Sequence, residues 1–207
     1  MALTLTGCGF PEPDTPLAAA AMRGDTPAVR ELLARGADPN GRDSHGLTPL
    51  MLAARLGRID AMKALLAGGA DPDLRYAPRT RPGWTPIMNA VHKGQIESVR
   101  VLIAAKADVN ESGGDGTTAL MLAAPEPSEA IVGLLLDAGA DPRPGHGGSA
   151  ALTNAAAGGR TETVTLLLAR APDLKLESGI RGTAALMLAR LRCRREILTL
   201  LRTSGAS

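Results

Sequence analysis

The chain has 207 residues, 44% of them hydrophobic, which is enough to bury the core of one sizeable domain. Its 23 basic and 21 acidic residues give a net charge of +2, which argues against a nucleic-acid partner, and no apolar run is long enough to span a membrane. Its two cysteines, Cys8 and Cys193, exclude a disulfide framework and a zinc site. Because Phe10, Tyr76 and Trp84 are the only aromatic residues, the core must be aliphatic, a composition that favours helices.

Residues 1–14 form an N-terminal tail that contains "LTGC" (5–8), which has the form of a bacterial lipobox. In such a motif Cys8 carries the lipid and becomes the first residue of the mature protein. Only seven residues, none of them basic, precede Cys8, so we expect a basic and apolar signal segment upstream of Met1. The protein is then a periplasmic lipoprotein anchored at Cys8. The alternative is that the match is chance and the protein is cytoplasmic.

Six related segments follow the tail, and their first residues lie 33, 37, 33, 32 and 34 positions apart. They are "PDTPLAAAAMRG" (13–24), "GLTPLMLAARLG" (46–57), "GWTPIMNAVHKG" (83–94), "GTTALMLAAPEP" (116–127), "GSAALTNAAAGG" (148–159) and "GTAALMLARLRC" (182–193). A second apolar block with paired aliphatic residues follows the segments, as in "AMKALLAGGADP" (61–72). A period of about 33 residues with this content is typical of a stacked array of helical repeats.

Each repeat is predicted to contain two short helices. The threonine of "TPL" favours a helix N-cap, and the proline fits the first helical turn. A glycine about two turns later allows the positive φ that ends this helix. The second helix has an apolar face that is buried only when repeats stack on one another. The leucines that we expect between the layers are Leu65, Leu66, Leu102, Leu135 and Leu167.

This pattern resembles the ankyrin repeat over residues 15–207. The resemblance implies an all-α solenoid of six helix–turn–helix units with projecting loops or β-hairpin fingers, and a protein-binding module without catalytic activity, cofactor or metal. The predicted units are 15–43, 44–80, 81–113, 114–145, 146–179 and 180–207. The chain departs from the family after "TPL", where the usual histidine is replaced and thioether packing is expected instead. The replacements are Met51, Met88, Met121, Thr153 and Met187. Pro127 replaces a turn glycine, so we expect that turn to differ.

The spacing of 37 indicates about four extra residues in the finger "RYAPRTRPGW" (75–84). Its prolines argue against a long helix or a central strand. It combines Tyr76 and Trp84 with Arg79 and Arg81, and these residue types are enriched at binding hot spots. We therefore predict that this finger contacts the partner. The alternative is that Trp84 packs back on the neighbouring finger and only braces the loop.

The position within each repeat predicts a concave partner surface. Its expected members are Met22, Arg23, Arg55, Leu56, His92 and Lys93 from the first helices, with His45, Leu47, Arg79 and Arg81 from the fingers. Residues 75–100 contain five basic residues and one acidic residue, whereas residues 101–178 contain five and ten. The front half is therefore expected to bind a protein with an acidic patch. The alternative is that these charges only solvate the surface.

Two further patterns have structural explanations. The arginines at 190, 192, 194 and 195 favour a polar cap on the last repeat over a nucleic-acid site, because no aromatic residues lie between them. Cys193 stands at a turn-glycine position, where a side chain is unfavourable. The aspartates that recur once per repeat are explained by turn chemistry. They are Asp38, Asp71, Asp108, Asp141 and Asp173.

The sequence therefore predicts a monomeric protein-binding module. The first hypothesis is a bacterial, envelope-associated protein that sequesters or protects a partner, for example as an immunity protein against a toxin. The lipobox and the composition rich in Ala, Arg and Gly favour it. The second hypothesis is a cytosolic scaffold or a host-directed effector. An enzymatic role is the least favoured, because the three histidines belong to different repeats and none has a cysteine at metal-ligand spacing.

Overall fold

The computed structural model describes residues 13–76, 83–143, 151–170 and 185–203, the last without 186 and 188. The helices are α1 (Pro16–Arg23), α2 (Thr26–Ala34), α3 (Pro49–Arg55), α4 (Ile59–Ala67), α5 (Pro86–His92), α6 (Ile96–Ala104), α7 (Ala119–Ala123), α8 (Glu129–Asp137), α9 (Ala151–Gly158), α10 (Thr161–Arg170) and a C-terminal helix (Arg195–Thr203). Residues 185, 187 and 189–191 are also helical. The described residues contain no strand, only an isolated bridge between Ser112 and Thr118. The all-α prediction is confirmed.

The helices belong to two compact units, Met1–Asp108 and Val109–Ser207. In the first unit, α3 packs between α1 and α5, and α4 packs between α2 and α6. First helices therefore stack on first helices and second helices on second helices. In the second unit α7 packs on α9, and α10 lies between α8 and the C-terminal helix. This arrangement buries the apolar faces that no single pair of helices covers.

Threonine caps the first helix of three repeats. In each case the threonine Oγ1 atom accepts a hydrogen bond of 3.3 Å from the backbone N–H three residues further on. The pairs are Thr15 with Ala18, Thr48 with Met51, and Thr118 with Met121. Thr85, at the same position before α5, makes no cap bond, and its buried hydroxyl has no hydrogen-bond partner among the described residues. Threonine therefore precedes the first helix in all four of these repeats, but its hydroxyl caps the helix in only three of them.

The turn between the two helices follows the residue that occupies it. The predicted glycines all have positive φ: Gly24 (76°), Gly57 (67°), Gly94 (66°) and Gly159 (74°). Cys193, at the equivalent place, has φ of 53°, a conformation that a side chain disfavours, as the sequence predicts. Proline cannot adopt positive φ, and the repeat with Pro127 has a different turn, also as predicted. There α7 is only five residues long, and the Ser128 hydroxyl donates to the Ala123 carbonyl at 3.0 Å.

The core consists of aliphatic residues and methionine, as the composition predicts. Four of the five predicted leucines are fully buried, and the exception is Leu66, which is only half-buried. Adjacent helical residues point about 100° apart, so Leu65 enters the layer between helices while Leu66 turns toward its edge. Met51, Met88 and Met121 are buried, and Met51 packs with Ala18 and Met22, which supports thioether packing in these repeats. The prediction fails for Met187, which is exposed.

Polar side chains fix the register between neighbouring loops, a role that sequence analysis missed. The Asn40 side chain donates to the Gly69 carbonyl at 3.3 Å and accepts from the Asp71 backbone N–H at 2.8 Å. Asn110, two repeats further along the chain, makes the same two bonds, to Gly139 and Asp141. The recurring aspartates also act as predicted at three positions, where Oδ1 accepts the N–H two residues on. These are Asp38, Asp71 and Asp141.

Candidate functional site

Each finger closes on one backbone hydrogen bond at its base. The Asp43 N–H donates to the Leu47 carbonyl at 3.0 Å, and the Tyr76 N–H donates to the Trp84 carbonyl at 2.8 Å. The bonded residues are four positions apart in the first finger and eight in the second. The second finger therefore carries four extra residues, as the repeat spacing predicts. Arg79 and Arg81 belong to this insertion and lie outside the described residues.

The base of the long finger is attached to the helical core. The Arg42 guanidinium donates to the Arg75 carbonyl at 2.6 Å and to the carbonyl of Gly46 in its own finger at 3.1 Å. Tyr76 is half-buried and packs, with Leu56 and Leu74, against a buried cluster. The members of that cluster are Ala18, Met22, Leu47, Met51 and Leu52. Tyr76 is thus partly a packing residue, and only the remainder of its ring is open to a partner.

Trp84 is held against the first helix of its own repeat. Its ring meets the His92 ring edge to face, with centroids 5.0 Å apart and planes at 62°. The residue is half-buried, and its indole Nε1 is buried with no hydrogen-bond partner among the described residues. A buried donor without a partner is unfavourable by about 1–3 kcal/mol. The apolar contacts of the ring must therefore outweigh that cost in keeping Trp84 at the finger base.

Two predicted partner-surface residues are core residues, so their assignment was wrong. Leu47 is 6% exposed and Met22 is 7% exposed, and both belong to the buried cluster beneath the fingers. Both backbone groups of Leu47 bond to Asp43, and this turn directs the Leu47 side chain toward α1, where Met22 lies. Leu56 is half-buried against the same cluster, so it contributes little to a partner surface.

Asp43 organises the first finger, and sequence analysis missed it. Its carboxylate is buried and accepts the backbone N–H groups of His45 at 3.0 Å and Leu47 at 2.8 Å. The His45 Nδ1 atom lies 3.6 Å from the other carboxylate oxygen, which holds the half-exposed imidazole at the finger tip. The sequence signal for this role is the aspartate directly before Ser-His-Gly, because an Asp side chain often accepts the backbone N–H groups of the turn that follows it.

Asp14 ties the first repeat to the same finger. Its carboxylate accepts the Ser44 backbone N–H at 2.8 Å. This hydrogen bond, with a smaller contribution from nearby His45, lowers the pKa of Asp14 below its ordinary value of 3.8. Asp14 therefore remains a carboxylate at all pH values near neutrality, and the bond to the finger persists there.

Basic residues lie at the C-terminal ends of three successive first helices. Arg23, Arg55 and His92 are the last residues of α1, α3 and α5, and Lys93 follows directly. We call these four residues the basic row. Arg23, His92 and Lys93 are exposed, whereas Arg55 is half-buried and donates to the side-chain Oδ1 atom of Asn89 at 3.5 Å. Helices α1, α3 and α5 contain no acidic residue, and the described aspartates and glutamates of this unit lie on second helices and loops.

Two kinds of site, a metal-binding side-chain cluster and a membrane-spanning helix, are absent from the described part of the chain. It contains no cluster of three His, Cys, Asp or Glu residues able to hold a metal ion. None of its helices combines the length and the apolar character needed to cross a bilayer. Cys8, the predicted lipid site, lies outside the described residues.

Comparison with known protein families agrees with the paired helices and their stacking. A family model described as "Ankyrin repeats (3 copies)" matches residues 2–76 and 75–145. No curated protein matches the chain. Ankyrin repeats are protein–protein interaction modules, which supports the reading of this surface. The family match covers more than half of the chain and includes the long finger, the basic row and the helices that hold them. The chain therefore belongs to the ankyrin repeat family.

Proposed function

We propose that the basic row and the finger base bind an acidic segment of another protein, without catalysis. The observation that carries this proposal is the segregation of charge in the first unit. Three consecutive first helices end in basic residues and contain no acidic residue. Cations at helix C-termini also interact favourably with the helix dipole, but that effect is only about 0.3–1 kcal/mol each and does not require acids to be absent.

The contacts at the row suggest how such a partner is held. Arg55 is oriented by Asn89, whose own side-chain N–H donates to the Thr85 carbonyl at 3.1 Å. A guanidinium held in this way loses little side-chain freedom when it binds a carboxylate. Lys93 and Arg23 are exposed and act through longer-range attraction, which raises the association rate. The exposed part of Trp84 adds apolar contact area beside them.

The experiment compares capture of partners by wild-type protein and by the double variant Arg55→Glu/Lys93→Glu. The matched control is Arg30→Glu/Lys63→Glu, which makes the same change in charge at exposed positions of α2 and α4. Partners identified by mass spectrometry should be lost from the row variant and retained by the control. Equal capture by both variants, or equal loss from both, would contradict a specific role for the row.

We further propose that the protein acts at the bacterial envelope, anchored through Cys8, where it sequesters or protects its partner as an immunity protein does. The support is the sequence "LTGC" followed by a proline-containing tether. Expression from the gene with its upstream coding sequence should give an acylated protein in the membrane fraction, and Cys8→Ser should release it or block processing. A soluble, unacylated wild-type protein in the cytoplasm would favour a cytosolic scaffold or effector instead.

A further inference from the structure

The last repeat exposes two apolar side chains, and one of them, Met187, stands at a position that is buried in earlier repeats. Met187 is 59% exposed and Leu191 is 72% exposed. Both residues are helical and lie four positions apart, so they share one face of the helix. Met51 and Met88, at the same position of earlier repeats, are fully buried. The exposure of Met187 therefore does not follow from the residue type, which is the same at all three positions.

Earlier repeats show what covers the position that Met187 occupies. The helix that carries Met51 has a helix on each side, α1 and α5. Met187 is left more than half exposed, so it lacks the cover that Met51 has. Another helix laid along this face is what the fold places there elsewhere, and an amphipathic helix presents side chains at the matching three- and four-residue spacing.

Charge around the pair selects the kind of helix. Residues 185–203 contain five arginines and one acid, Glu196. All five arginines are exposed: Arg190, Arg192, Arg194, Arg195 and Arg202. Arg190 occupies a position that holds the buried residues Ala54 and Val91 in earlier repeats, so it adds charge to the surface that another repeat would otherwise cover. A second copy of this surface would bring like charges together, which opposes a symmetric dimer.

We propose that this C-terminal surface, Met187 and Leu191 with the five arginines around them, docks an amphipathic helix of another protein whose apolar face is flanked by Asp and Glu. The arginines are exposed, as expected for a polar cap, but the apolar pair leaves that cap incomplete. Leu and Met side chains of the bound helix cover the pair, and its carboxylates meet the guanidinium groups. This surface is separate from the basic row and does not depend on the function proposed for it.

The test uses the full chain and a fluorescein-labelled synthetic peptide of about 18 residues, five helical turns, with Leu and Met on one face and Glu flanking them. Fluorescence anisotropy measures binding of this peptide, of a scrambled peptide of the same composition, and of a version with Lys in place of Glu. The protein variant is Met187→Ser/Leu191→Ser. The control is Ile96→Ser, which alters another large exposed aliphatic residue, on α6.

Wild-type protein and the Ile96→Ser control should bind the acidic amphipathic peptide at least about tenfold more tightly than either other peptide, a difference of about 1.4 kcal/mol. The double variant should lose that preference while its thermal unfolding is unchanged, because the altered side chains are exposed. Binding should weaken as salt rises from about 0.1 to 1 M, which shortens the Debye length from about 10 to 3 Å. Equal binding of the three peptides, or undiminished binding by the double variant, would overturn the proposal. A wild-type dimer in sedimentation velocity that the double variant abolishes would also overturn it, in favour of a second copy.

Discussion

Replacing Trp84 by phenylalanine tests how the finger base is held together. The change keeps an aromatic ring against His92 and removes the indole N–H, which is buried without a partner among the described residues. Relief of that unsatisfied donor should stabilise the fold by about 1–3 kcal/mol. Loss of the second ring should destabilise it by about 1–1.5 kcal/mol, since the residue is half-buried and full burial of a large apolar side chain contributes about 1.5–3 kcal/mol. The expected net change therefore lies between a loss of about 0.5 kcal/mol and a gain of about 2 kcal/mol.

The assay is equilibrium urea unfolding followed by far-UV circular dichroism, because Trp84 is the only tryptophan and its fluorescence is lost in the variant. Trp84→Ala is the comparison, because it also removes the ring contact with His92. The alanine variant should have a free energy of unfolding about 2 kcal/mol or more below that of Trp84→Phe. Binding of a partner at the basic row should weaken in the alanine variant and stay unchanged in the phenylalanine variant. A phenylalanine variant less stable than wild type by 2 kcal/mol or more would refute the reasoning, because the indole N–H would then contribute a favourable interaction.

Two further changes test the core and the first finger. Leu102→Ala should lower the free energy of unfolding by about 2–5 kcal/mol, because Leu102 is fully buried on α6. Leu66→Ala should lower it clearly less, because Leu66 is only half-buried. Similar losses in the two variants would show that the layer between the second helices is misassigned. Asp14→Ala should destabilise the protein at neutral pH, and the difference from wild type should disappear at low pH. The lowered pKa means that the contribution of Asp14 is complete above its unfolded value of 3.8 and is lost as the pH falls through the lower value in the folded protein. A difference that persists well below that pH would mean that Asp14 acts without its charge.

Local features of the fold could be predicted from the sequence because they depend on neighbouring residues. The positive φ of Gly57 and the different turn at Pro127 follow from what each residue permits at its own backbone. The strained position of Cys193 follows in the same way. The four extra residues of the long finger follow from counting along the chain, and the base hydrogen bond from Tyr76 to Trp84 confirms the count.

Burial and contacts between repeats were decided by the tertiary structure. Leu47 and Met22 occupy positions that the repeat pattern assigned to a partner surface, but the turn at Asp43 brings them together under the fingers. Their burial depends on packing between two repeats, which a pattern within one repeat does not contain. The bond from Asn40 to the loop of the next repeat and the exposure of Met187 depend in the same way on which neighbour is present. The sequence by itself therefore determined the repeat, its helices and its turns, while stacking decided which of their side chains remain available for binding.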